Sequence, residues 1–431
     1  MEIRDLYSLY AQCSYKVTTD SRAIKGGGLF FALRGDNFDG NAFALKALED
    51  GAAYAVVNRD AGLPSSDRLI EVDSPFETMQ ALAIYHRETL AIPVVGLTGT
   101  NGKTTTKELI AAVLSRKYNV TATRGNLNND IGVPLSLLSM TPETRIAVIE
   151  MGANHPDDIA KLVKVSRPTH GLITNVGKAH LLGFGSIEGV KAAKGELYNW
   201  LGSHAGLIFL NEDDAELKEM ALKQSCHQFG YGVSYQGVKL LSSSPDNPFL
   251  SLDVPGYGII RSELVGSYNA TNVLAALAVG QYFGVAAEDA KAAIESYRPS
   301  NQRSQMQKTE RNTLILDAYN ANPSSMSVAL DNLAGMQADR KLALLGEMRE
   351  LGEESLREHE TIVKKLLGLG LDAILVGDEF KKAVALCGAG FKCFDTSEDL
   401  AAYLEREKVH GSTILVKGSR GTTMEKVIPS L

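Results

Sequence analysis

The sequence predicts an α/β protein of several domains, built on a central parallel sheet that carries a phosphate loop. An apolar run, Pro93-Val94-Val95-Gly96-Leu97, leads into Gly99-Thr100-Asn101-Gly102-Lys103-Thr104-Thr105, the pattern of a buried strand, a glycine turn and a helix start. Apolar strand-like runs alternate with helical patterns through the middle and the C-terminal third of the chain, as βαβ units do. At 431 residues the chain exceeds one ordinary core and calls for two to four domains.

Residues 1–88 read as a small α/β unit holding Thr19-Asp20-Ser21-Arg22, a strand near 28–33 and the turn-rich Gly35-Asp36-Asn37-Phe38-Asp39-Gly40. Residues 89–298 carry the parallel sheet. Its strands end at Leu97, Glu150 (Ile146–Glu150), 175 (171–175) and Asn211 (Leu207–Asn211), and its first helix is Lys103–Leu114. An irregular patch over 242–262 reads as antiparallel. A helix over 269–283 then leads to Tyr297-Arg298-Pro299-Ser300-Asn301, a break suited to a domain boundary. Residues 299–431 alternate again, with strands Thr313–Asp317, 341–345, 373–376 and Thr413–Lys417 in a second open α/β sheet.

Composition narrows the function. A hydrophobic share of 44% and a charged share of 22% are those of a soluble globular protein. The net charge of −7 lacks the basic face that sequence-independent nucleic-acid or membrane-surface binding needs. Cys13, Cys226, Cys387 and Cys393 form no CxxC pair and read as reduced thiols. The start Met1-Glu2-Ile3-Arg4-Asp5 does not read as a signal peptide, and no apolar run reaches membrane-spanning length, so a cytoplasmic protein is expected.

The phosphate loop departs from the Walker pattern, because Leu97 stands where a glycine is wanted and Gly99 lies only three residues before Gly102. The chemistry survives the shortening. Glycines let backbone N–H groups wrap phosphate oxygens, the helix N-terminus adds partial positive charge, Lys103 adds a full one, and Thr104 offers a hydroxyl to Mg²⁺. A nucleoside triphosphate is the expected ligand.

Glu150 closes its strand where a metal ligand opposite the loop would sit, though a solvated loop carboxylate fits that position equally well. Asn154-His155-Pro156-Asp157-Asp158 reads as a helix start with Pro near N1 and acids in the first turn. His180 follows on a glycine-flanked loop. Lys194, on a helix packed through Leu197 and Trp200, reads from pattern alone as an exposed surface lysine. Asn126, Asn128 and Asn129 form an amide-rich loop before the helix at Pro134, fit either to read a polar substrate or to make turns. Asp317-Ala-Tyr319-Asn320-Ala-Asn322-Pro323-Ser324 and Lys417-Gly-Ser-Arg420-Gly421 both stand at strand C-termini, where open α/β sheets place ligands. Capping accounts for Asn322, Pro323 and Ser324, but not for Tyr319 or Arg420.

Taken together, these residues resemble the Mur ligases, the ATP-dependent amino-acid ligases of peptidoglycan assembly, over essentially the whole chain. The short loop Gly99–Thr105 is similar to the one these ligases share. Four blocks, Gly125-Asn-Leu-Asn-Asn-Asp-Ile-Gly-Val-Pro134, Glu150-Met-Gly-Ala-Asn-His155, Asp317-Ala-Tyr-Asn-Ala-Asn-Pro323 and Leu345-Gly-Glu-Met-Arg-Glu-Leu-Gly-Glu353, resemble the branch that adds D-alanyl-D-alanine to UDP-N-acetylmuramoyl-tripeptide.

The resemblance implies a three-domain Mur ligase architecture: a small N-terminal α/β domain, a central P-loop parallel-sheet ATPase domain and a C-terminal Rossmann-like α/β domain. It implies that the loop Gly99 to Thr105 binds ATP, with Lys103 on the β/γ-phosphates and Thr104 on one of two Mg²⁺ ions. Glu150 and His180 match positions that complete metal coordination. Lys194 matches the lysine this family carbamylates with CO₂ to make a metal ligand, which reverses the surface reading. Lys103, His180 and Lys194 are thus the implied catalytic set.

Asn269 and Asn272 match the adenine-contacting helix start, with Tyr268 where the family usually has His. Arg303 matches an arginine near the phosphates, in Asn-Gln-Arg-Ser-Gln rather than the common Gly-Arg pairing, and Asp317 an acid near the ribose. Asp20, Ser21 and Arg22 match the segment against the UDP moiety, while Asn126, Asn128, Asn129, Tyr319, Asn320 and Asn322 are implied substrate contacts. The implied partners are the tripeptide and D-alanyl-D-alanine, with no nucleic acid, no membrane insertion and a monomeric chain. Carboxylate activation as an acyl phosphate would precede amine attack. The alternatives are a ligase adding the third residue, a folate polyglutamate ligase, and, outside the class, a P-loop regulatory ATPase.

Overall fold

In the computed structural model the described residues are 1–24, 26–242, 248–299, 303 and 305–431. Part of the expected antiparallel patch (243–247) and of the expected domain boundary (300–301) lies outside them.

The N-terminal unit is a four-stranded parallel sheet in the order Val17–Thr18, Leu29–Phe31, Tyr54–Asn58, Leu69–Val72. Alternation along the second strand sorts its faces. Phe30 turns to a small core with Ala44, Ala47 and Val57, whereas Leu29 and Phe31 turn to a core shared with the central unit. Helix Pro75–Leu90 covers that shared face. Ser74 caps its start by accepting from Glu77 N, Pro75 sits in its first turn, and Ala91 ends it at φ 50°.

The central unit has six parallel strands ordered His227–Tyr231, Leu207–Asn211, His170–Ile173, Val94–Thr98, Ile146–Glu150, Val120–Ala122. Strand Val94–Thr98 is buried at every position, because helices cover both faces. Val94, Ala147 and Ile149 join the core shared with the N-terminal unit. Val95, Leu97 and Val148 pack with helices Lys103–Leu114 and Ala270–Tyr282. An antiparallel sheet, Lys239–Leu241, Phe249–Val254 and Gly258–Val265, follows. The C-terminal unit has six strands ordered Gln305–Lys308, Thr313–Asp317, Thr413–Lys417, Lys341–Gly346, Asp372–Val376, Lys392–Phe394, and its first strand pairs antiparallel at the edge.

Four strands of the two larger sheets were not in the sequence expectation: Val120–Ala122, His227–Tyr231, Gln305–Lys308 and Lys392–Phe394. All are sheet edges. The helix expected around Pro156 begins later, at Asp158, because Asp157 takes a left-handed conformation (φ 65°). Asp158 bonds back to the N–H groups of Asn154 and His155, and Glu196 from a neighbouring helix accepts from Asp157 N and Ala160 N.

Candidate active site between two sheets

The C-terminal ends of the central and C-terminal sheets meet at one cleft of about 1040 Å³. Its central-sheet wall is the phosphate loop. Gly99 (φ 147°) and Gly102 (φ 78°) hold angles that favour glycine, and a Cβ on Gly99 would fall 1.9 Å from Thr174 Oγ1. Asn101 N donates to Asn175 Oδ1 at 3.0 Å, and Gly177 N donates to Thr100 Oγ1 at 3.0 Å. Lys103 Nζ spans the loop, donating to Gly99 O at 2.7 Å and Thr100 O at 3.1 Å. Burial pulls the Lys103 pKa down; nearby Glu150 opposes this and Arg303 adds to it.

Below the loop, Thr104 Oγ1 donates to Glu150 Oε2 at 3.0 Å and Asn128 Nδ2 donates to Oε1 at 2.9 Å. Glu150 is only 1% exposed, so it is not a solvated loop carboxylate. A hydroxyl and a carboxylate in contact at the foot of a phosphate loop are hard oxygen donors, which suit a Mg²⁺ that also takes phosphate and water. The residues present therefore fit one such ion. Among the described residues, no three His, Cys, Asp or Glu side chains form a ready cage for a metal.

Lys194 corrects the pattern reading: it is 2% exposed, with its Nζ 5.8 Å from the Phe184 ring centroid. Burial first, and then the Lys103 charge, pull its pKa down to about 7. His180 sits at the entrance to the helix Leu181–Phe184 with φ 52°, and its Nδ1 meets the Glu350 carboxylate of the C-terminal unit. Burial lowers its pKa, and Glu350 opposes the drop.

The opposite wall comes from the C-terminal sheet. Asp317 and Lys417 end neighbouring parallel strands in register, and their side chains pair at 2.5 Å with Lys417 fully buried. Two guanidinium groups approach Tyr319, Arg303 at 3.7 Å from its ring centroid and Arg420 at 5.8 Å. Asn322 caps helix Pro323–Gly335 in a box with Ser325, and its Nδ2 donates across the cleft to Asn101 Oδ1 at 2.8 Å. Asn320 lines the cleft, its carbonyl taken by Lys417.

Asn269 and Asn272 line the cleft beside Tyr268. Their amides are already linked, Asn272 Nδ2 to Asn269 Oδ1 at 2.8 Å and Thr106 Oγ1 to Asn272 Oδ1 at 3.0 Å. Asn126 and Asn129 also line it, with Asn129 Oδ1 accepting from Gly132 N at 2.8 Å. Thr105 lies on the cleft wall, whereas Gly99, Thr104 and Lys194 sit behind it. Asp20, Ser21 and Arg22 are not brought there. Arg22 forks onto the Asp20 carboxylate, which is pulled down to about 2, and stands 88% exposed on the N-terminal unit.

Sequence reasoning assigned no role to Lys107, which lies 3.9 Å from Glu150, to Glu350 or to Arg349. Lys417 and Arg420 it singled out without giving either a partner.

Comparison with known proteins follows the same outline. The model of the Mur ligase family catalytic domain matches residues 14–92, that of the Mur ligase middle domain 97–280, and that of the Mur ligase glutamate ligase domain 302–420. The UDP-N-acetylmuramoyl-tripeptide–D-alanyl-D-alanine ligase of Escherichia coli (strain K12) is 36% identical over 96% of this chain and 93% of its own. That of Bacillus subtilis (strain 168) is 32% identical over 96% and 92%. MurF from Acinetobacter baumannii superposes with a TM-score of 0.84 at 31% identity, covering 96% of this chain and 92% of that one. MurF from Thermotoga maritima in complex with ADP gives 0.83 at 27% identity over 97% of each chain.

Proposed function

The chain belongs to the Mur ligase family, and from that premise we infer that it joins D-alanyl-D-alanine to UDP-N-acetylmuramoyl-tripeptide at the expense of ATP. The observation that carries this reading is the shared cleft: a phosphate loop on one wall, with a buried Thr104–Glu150 pair at its foot, and Arg303, Asp317 and Tyr319 on the other. Limits of 1–88, 89–298 and 299–431 for the substrate, ATP and ligase domains belong to the same reading, as do a cytoplasmic location and a monomeric chain. No described helix is long and apolar enough to cross a membrane.

A carboxylate is a poor electrophile, so it must gain a leaving group before an amine will attack. In this reading a terminal carboxylate oxygen of the tripeptide attacks the γ-phosphorus, ADP departs, and an acyl phosphate results. The dipeptide amine then adds to the acyl carbon, and phosphate leaves with the oxygen that had been the carboxylate's. The ordinary α-amino pKa of about 7.7–8.0 leaves a usable neutral fraction of that amine near neutrality.

The chain's part is positioning and charge neutralisation. Lys103 exchanges its loop carbonyls for the β/γ-phosphates, and Arg303 brings a second cation from the facing domain. Asp317 meets the ribose, Asn269 and Asn272 the base, and the loop of Asn126, Asn128 and Asn129 the peptide substrate with Tyr319, Asn320 and Asn322. Asp20, Ser21 and Arg22 lie against the UDP moiety at the far end of that substrate. Mg²⁺ held by Thr104 and Glu150 would supply Lewis-acid neutralisation of the phosphate charge.

Lys194 supports a further step of the reading. A lysine buried beside another cation is kept near neutral, the form of an amine that takes up CO₂. The resulting carbamate would turn an ammonium into an anionic oxygen donor near His180, suited to a second Mg²⁺.

A coupled assay tests the function. ADP release should require both the tripeptide and the dipeptide, and the product should gain the mass of the dipeptide less water. ATP hydrolysis at one rate with or without the two substrates would support the regulatory ATPase instead.

A further inference from the structure

Lys107 lies one turn beyond Lys103 on the helix that follows the phosphate loop, and its side chain is 3% exposed. Its ammonium stands 3.9 Å from Glu150 Oε2 and 3.8 Å from Glu108 Oε1, and among the described residues these carboxylates are its ion-pair partners. The Tyr297 hydroxyl donates to Glu108 Oε2 at 2.6 Å, which leaves Oε1 for Lys107. Neither Lys107 nor Glu108 lines the cleft.

A buried charge is tolerated when paired, and like charges close together repel strongly where water does not screen them. A divalent cation on Glu150 would therefore stand against the Lys107 ammonium. The equal spacing gives that ammonium somewhere else to go.

We propose that Lys107 is a positioning residue that balances the charge of Glu150. It is shared between Glu150 and Glu108 in the structure, and it gives up Glu150 for Glu108 alone when Mg²⁺ occupies Glu150. Glu108, which does not line the cleft, thereby sets the affinity for Mg²⁺. The inference rests on the reading of Thr104 and Glu150 as a Mg²⁺ site.

Calorimetric ADP affinity, measured with Mg²⁺ and again with a chelator, tests it in the full chain. Glu108→Gln should shrink the gain that Mg²⁺ confers about tenfold, within the usual range of coupling between sites, and leave ADP binding in chelator unchanged. Lys107→Met should not shrink the gain, and in that background Glu108→Gln should have no effect. Tyr297→Phe should shrink it about threefold by loosening Glu108, and it carries the test should Lys107→Met fail to fold. An unchanged gain in Glu108→Gln or Tyr297→Phe overturns the proposal, as does an equal loss of ADP affinity in chelator. Failure of the unaltered chain to bind ADP with Mg²⁺ would overturn the ligase reading, and this inference with it.

Discussion

The central unit meets its two neighbours in opposite ways. Toward the N-terminal unit the contact is an extension of the core. Tyr10 is fully buried and donates to Leu138 O at 2.8 Å, while His86, equally buried, joins Tyr7 to Met140 O in a ring of aromatic side chains. Toward the C-terminal unit the contact is mostly polar: Asn322 to Asn101, Glu350 to His180, and Lys178 to Glu358 at 2.6 Å, with the buried Val265 and the partly buried Leu181 and Phe249 the apolar share. Apolar burial is lost outright when such surfaces part, whereas polar partners can trade one another for water at smaller net cost. In the ligase reading the first interface stays shut, and the second is the one that can open to substrates.

The largest expected effect breaks the polar side. Lys194→Ala should cut ligation by about 10³-fold or more, some 4 kcal/mol of transition-state stabilisation, while leaving thermal stability near that of the unaltered chain. Short carboxylic acids should restore part of the rate. Full activity in the variant would remove the carbamate from the account.

Tyr10→Ala should do the reverse. It should destabilise by about 4 kcal/mol through the cavity left in the shared core, read by denaturant unfolding, with kcat per folded molecule retained. A loss of kcat at unchanged stability would mean the two interfaces had been misassigned.

Acid should find the apolar interface through His86. Burial pulls its pKa from 6.5 down to about 4, so the unfolded chain takes up a proton first as pH falls. Stability should decline between those two values, by about 3 kcal/mol from this one group, and level off below them. His86→Gln should flatten that portion of the pH–stability curve, and an unchanged slope would place the proton uptake elsewhere.

Lys178→Met should produce the smallest change, about 1 kcal/mol: Glu358 is only 6% exposed and loses its cation, but it lies at the polar interface, where opening rehydrates it. A cost above about 2 kcal/mol would show that this interface is locked as firmly as the other.

The same division governs what the sequence reveals. Strands such as Ile146–Glu150 and Thr313–Asp317 are legible because burial on both faces demands unbroken apolar runs. Edge strands such as Gln305–Lys308 and Lys392–Phe394 are short and half-exposed, so nothing in their composition separates them from loops. The phosphate loop is legible because contiguous residues make it. The pairings that tune it are not, since His180 and Glu350 are 170 residues apart and Asp317 and Lys417 are 100 apart. Lys194 lay between these cases. Val190, Lys194, Leu197 and Leu201 share one buried stripe at helical spacing, so a charge on an apolar face was there to be read.

The central claim is that the polar cleft activates a carboxylate as an acyl phosphate. The most direct measurement supplies tripeptide labelled with ¹⁸O in its terminal carboxylate and analyses the released phosphate by mass. The account predicts one labelled oxygen in phosphate for each amide formed. Amide formation with unlabelled phosphate would contradict it.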